Sequence, residues 1–152
     1  MADFFTEVTV MPFIPKDLLS EQDLQMLALY GFQSEEIKTD EGDFLYLFAY
    51  EYSGTAFRTV EKDDEIEEEE LSEEDLTAFL RRVIDASNGR LKYLYLHAGC
   101  TCSKMRPDTF GGWVTFLTKD EEKFVSTFAA VAKFKACEDE KSKGGSDGPE
   151  KV

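Results

Sequence analysis

Leu91–Thr118, LKYLYLHAGCTCSKMRPDTFGGWVTFLT, reads as a strand, a loop and a strand. The stretch holds the only histidine, His97, two of the three cysteines, Cys100 and Cys102, and the only tryptophan, Trp113. A Lys-x-Arg-Pro-Asp turn over 104–108 sits between the two strands. Every candidate for covalent or metal chemistry in the chain therefore lies in or beside this hairpin.

Outward toward the N-terminus, FTEVTVMPF (5–13) alternates Val8 and Val10 against Thr9 and predicts a strand ending at Pro12. Ser20, with Asp23 three residues on, predicts a helix start, and Gly31 predicts its end. Apolar residues fall on most sides of that helix, which predicts that it is well covered. FQSEEIK (32–38) is short and charged, as suits an edge strand, and 39–42 is a turn. In FLYLFAYEY (44–52), Phe44, Tyr46, Phe48 and Tyr50 alternate with Leu45, Leu47 and Ala49. Both sets are apolar, which predicts a central strand covered on both faces. Another strand is expected within 54–60.

Glu61–Asp75 follows, with eleven acids and one lysine. Its end is a helix start, with Ser72 as N-cap and Asp75 three on. Leu76, Phe79, Leu80, Val83 and Ile84 then share one helical face, and Asn88-Gly89 ends it. Beyond the hairpin, Thr118–Glu121 reads as a capping box opening a last helix that carries Phe124, Val125, Phe128, Val131 and Ala132. The element order predicts an α+β domain over 1–137, a mostly antiparallel sheet with about three helices packed mainly on one face in two layers. The polar, Gly-rich residues 138–152 read as a disordered tail.

The net charge of −15, from 32 acids and 17 bases, repels nucleic-acid phosphates and anionic membranes. The partner it favours is a basic protein surface, including that of a nucleic-acid-binding protein. The opening residues lack a signal-peptide pattern, no apolar run spans a bilayer, and three cysteines suit reduced thiols, so a cytoplasmic location is expected.

Four constellations carry possible chemistry. His97, Cys100 and Cys102 resemble a metal ligand set, although zinc sites ordinarily pair cysteines in tighter knuckles and use four ligands. If the strand runs on to Cys102, the two thiols share one face and His97 takes the other. Cys100 or Cys102 with His97 as base and Asp108 as orienting group is an alternative catalytic set. Lys104, Arg106 and Asp108, before Gly111-Gly112, form a loop able to bind an anion or to pair internally with acids. The acidic run offers Glu65, Glu67, Glu68, Glu69, Glu70, Glu73 and Glu74 as a binding surface, of which DNA mimicry is one form. Its spacing is not that of an EF-hand. No cofactor is expected.

TEVTVMPFIPKDLL (6–19) and TCSKMRPDTFGG (101–112) together resemble a group of small, functionally uncharacterised bacterial proteins associated with plasmids, prophages and other mobile elements. That pattern has a glycine where Thr109 stands, so the loop here is stiffer. The resemblance implies no activity, cofactor or catalytic residue. It implies a context in which accessory proteins act against host defence. The resulting expectation is a non-enzymatic acidic binding protein, an inhibitor of a nucleic-acid-binding defence or regulatory protein. A thiol-dependent enzyme or a small-ligand or metal-binding protein built on His97–Asp108 is the alternative.

Overall fold

The computed structural model describes residues 4–102 and 111–144. These form an α+β domain built on a six-stranded antiparallel sheet in the order β2-β3-β1-β6-β7-β8, with a separate two-stranded ribbon, β4-β5. β1 is Phe4–Pro15, β2 Gln33–Thr39, β3 Gly42–Ala49, β4 Ala56–Lys62 and β5 Glu65–Leu71. The hairpin strands are β6, Leu94–Cys102, and β7, Gly111–Leu117, followed by β8, Glu122–Ser126. The helices are α1, Glu21–Leu29, α2, Glu73–Ala86, and α3, Thr127–Gly144.

Two of the three predicted helix-start caps are present, both as capping boxes. Ser20 accepts from the Asp23 N–H and Ser72 from the Asp75 N–H, and each aspartate accepts from its cap residue's N–H in return. These contacts satisfy donors that every helix start leaves orphaned. Gly31 ends α1 at φ +99°, and its Cβ position would fall 2.4 Å from the Glu51 carbonyl oxygen, so only glycine fits. α2 buries Leu76, Leu80, Val83 and Ile84 at i, i+4, i+7 and i+8. Val8 and Val10 of β1, Leu45, Leu47 and Ala49 of β3, and Leu94, Leu96 and Ala98 of β6 complete that core with Leu27 of α1. Tyr30, fully buried, donates its phenol to the Ser72 carbonyl at 2.7 Å and so ties the end of α1 to the start of α2.

Four expectations need correction. β3 is covered on one face only. Phe44, Tyr46 and Phe48 on the other face are half-buried and Tyr50 is exposed; there Tyr46 packs against Phe13 and Phe48, and Phe48 against Tyr50. Helix α1 buries Leu27 and leaves Ala28 and Leu29 exposed, so it is less covered than its composition implies. Thr118 does accept from the N–H groups of Asp120 and Glu121, but Thr118 N also bonds the Glu121 carbonyl and the chain turns back as β8. A threonine hydroxyl closes a turn with the same bonds that cap a helix. Arg81 of α2 holds the turn by bonding the Thr118 and Lys119 carbonyls, and α3 begins only at Thr127. Finally, α3 continues past 138 to Gly144, into the segment read as tail.

Candidate interaction surface

The acidic run is a β-ribbon running into a helix. β4 and β5 pair from Ala56–Leu71 at the base to Lys62–Glu65 at the tip. Asp63 and Asp64 form the two-residue loop with φ of 50° and 65°. Two successive positive-φ residues are the mark of the tight turn whose twist matches paired strands, and aspartate tolerates that conformation. Ala56 and Leu71 are buried and anchor the ribbon to the core, whereas its remaining residues are mostly exposed.

Alternation along β5 divides the candidate glutamates. Glu65, Glu67 and Glu69 share a face with Lys62, Val60 and Arg58. At its base this face turns toward the helices: Arg58, Glu69 and Leu71 line one cavity with Met26 of α1 and Phe79 and Arg82 of α2. Arg58 Nε pairs with Glu69 at 3.0 Å, and that pairing raises the guanidinium's proton affinity. The opposite, outward face carries Glu61, Glu68 and Glu70 together with Phe57, Thr59 and Ile66. Phe57 is 54% exposed and Ile66 79%. Glu73 and Glu74 lie at the start of α2, where carboxylates favour the positive end of the helix dipole. Glu73 accepts from the Tyr52 phenol at 2.7 Å, and burial is the main cause raising that phenol's pKa. The seven glutamates therefore occupy three distinct surfaces. The outward face adds Glu61, Phe57 and Ile66, which the charge count alone did not single out.

Carboxylates on one face of a strand recur about every 6.6 Å, since the rise is about 3.3 Å per residue. One DNA strand carries a phosphate about every 3.4 Å of axis. The outward face, with Glu61, Glu68 and Glu70 and no base, thus has about half the linear charge density of a single DNA strand and interleaves apolar side chains, whereas on the other face Arg58 and Lys62 offset two of the three carboxylates. This is a different surface from a duplex backbone.

In the hairpin, β6 runs without a register break from Tyr95 to Cys102 against β1. The strand alternation puts His97 on the open sheet face, opposite Thr9 and Val114. Cys100 lies on the other face with Leu96 and Ala98, half-buried, and its sulfur accepts from the Thr6 hydroxyl at 3.8 Å. The backbone of Cys102 has the parity of Cys100. The extended strand therefore separates His97 from the Cys100 thiol. Among the described residues no group of three or more His, Cys, Asp or Glu side chains is placed to hold a metal ion. Lys104, Arg106, Asp108 and Thr109 lie outside the described residues.

On the open face, the small residues Thr9 and Gly99 leave a shallow groove of about 470 Å³ between Tyr46, Phe48 and Tyr50 on one side and His97 on the other, with Glu7 and Glu35 at its rim. Among the described residues no helix is long and apolar enough to cross a membrane. No protein-family model matches the sequence, and neither curated proteins nor solved structures give a significant match.

Proposed function

We propose that this chain is a non-enzymatic binding protein that docks the outward face of its acidic ribbon onto a basic, partly apolar surface of another protein. The observation that supports this most directly is the pairing of Phe57 and Ile66, both strongly exposed, with Glu61, Glu68 and Glu70 on one face of a projecting ribbon. Phe57 near the base of this face and Ile66 near its tip each lie across from a carboxylate, Glu70 and Glu61, and exposed apolar side chains supply the desolvated contacts that hold a complex. The surrounding carboxylates steer a cationic partner and make association fast and salt-sensitive. Together with the mobile-element resemblance, the partner class is a nucleic-acid-binding host defence or regulatory protein, engaged at its basic cleft. In this reading the protein inhibits by occupying that cleft, and it binds neither nucleic acid nor membrane itself.

Affinity capture from bacterial lysate at low and high salt, read by mass spectrometry, tests the reading. The expected result is one basic protein retained at low salt and depleted at high salt. Equal recovery of that protein by the Phe57→Ser/Ile66→Ser variant would overturn the assignment of the face. Absence of any salt-dependent protein would overturn the reading itself.

A further inference from the structure

β8 forms one edge of the sheet and β2 the other. The two edges differ in kind. β2 exposes Gln33, Ser34, Glu35, Glu36 and Lys38, the charged and polar guard that keeps a free edge from pairing. β8 exposes Phe124 and Val125 beside Glu122 and Lys123, and α3 continues directly from it with Phe128, Val131 and Phe134 exposed at i, i+3 and i+6. Five of the eleven large apolar residues exposed among the described residues thus fall between 124 and 134, each 53% to 68% accessible. The Phe124 ring lies beside Trp113, with ring centres 6.1 Å apart.

We infer that two copies of this chain associate about a two-fold axis through their β8 edges, joining the two sheets into one antiparallel sheet and burying the α3 ridges in the same contact. Antiparallel pairing of a strand with itself is self-complementary, as a two-fold interface requires. Centred on Phe124, the pairing sets Lys123 opposite Val125 and Glu122 opposite Ser126, so no like charges meet directly. Residues 123–137 contain three lysines and no acid, in a chain whose net charge is −15. This is where two copies approach with least repulsion, because the rest of each chain carries −18, the difference between −15 and +3. Area agrees with this: at about 200 Å² per ring, the three phenylalanines alone expose roughly 350 Å². Val131 brings this toward the apolar share, about 500 Å², of a standard interface of about 800 Å² per partner, while Val125, paired with Val114, lies on the other sheet face. The dimer carries two acidic ribbons, so a partner with two basic sites would be held bivalently.

Sedimentation velocity on the full chain over a wide concentration range tests the inference. The expected mass is twice 17.3 kDa, falling to the single-chain mass in Phe124→Lys/Val125→Lys and in Phe128→Ser/Phe134→Ser. Ser34→Lys on the opposite edge should remain dimeric. Far-UV circular dichroism establishes that each variant is folded. A wild-type chain at 17.3 kDa at every concentration would overturn the inference, as would a dimer that survives both sets of substitutions. Neither result bears on the ribbon, which lies in a separate sheet.

Discussion

Arg58 Nε lies 3.0 Å from Glu69 Oε2 across the β4-β5 ribbon, so Glu69 is paired within the ribbon rather than offered outward. With Lys62 opposite Glu65 on the same face, the ribbon carries its two bases on the side that turns toward the helices at its base. The outward side is left with carboxylates and two apolar residues. Both partners of the Arg58–Glu69 pair are substantially exposed, and exposed ion pairs contribute little to stability. Arg58→Ala should therefore leave the unfolding midpoint nearly unchanged while making the ribbon more acidic. Thermal unfolding alongside partner capture checks both halves.

Tyr30 joins the two helices through its 2.7 Å bond to the Ser72 carbonyl, and burial pushes its phenol up to about 12. Tyr30→Phe keeps the ring and removes this bond, while the Ser72 carbonyl still accepts from the Leu76 N–H. The expected loss is about 1 kcal/mol, a fall in Tm of roughly 2–4 °C, measured by calorimetry.

The cap of α2 gives stability a pH signature. Hydrogen bonds from the Ser72 backbone, then from its side chain, hold the Asp75 carboxyl below its ordinary value of 3.8. A bidentate bond from Arg90 does the same for Asp17. A depressed carboxyl contributes stability that is fully present above its ordinary value and is lost as pH falls through the lowered one. Wild type should therefore lose stability below about pH 4 as these groups protonate. Ser72→Ala removes an N-cap, costing about 1 kcal/mol near neutrality. It should also flatten the acid limb of Tm against pH in part, because Asp75 loses the hydroxyl bond while keeping the larger contribution from the backbone N–H of residue 72.

Cys100 and His97 point to opposite faces of β6. With Cys102 and Cys137 replaced by serine, the alkylation rate of Cys100 should change by less than about twofold in His97→Ala, because the imidazole cannot reach the thiol as a base. A large fall in rate would show that the two groups meet.

The helices α1 and α2 were readable because local chemistry and periodicity agree: Ser20/Asp23 and Ser72/Asp75 at the starts, Gly31 and Asn88-Gly89 at the ends, and the apolar spacing of α2 between. β2 was readable because its charge matches an exposed edge. β5 was not, since a run of glutamates has weak strand preference and reads as a solvated loop. Its pairing with β4 overrides that preference, and the local signal was Asp63-Asp64, a two-residue turn flanked by matched segments. The start of β8 reads as a helix cap because Thr118 bonds alike in a turn and a cap, and only the partner strand distinguishes them. The division of the glutamates between faces follows from alternation once the strand is recognised, and Phe57 and Ile66 gain meaning only with the register.

The most direct test of the ribbon compares two triple variants of equal charge change against the captured partner. Glu61→Gln/Glu68→Gln/Glu70→Gln neutralises the outward face and Glu65→Gln/Glu67→Gln/Glu69→Gln the other. Affinity should fall at least about tenfold, or 1.4 kcal/mol, for the outward set and far less for the other. Equal losses would mean that net charge alone, and not the ordered outward face, governs binding, which would contradict the account.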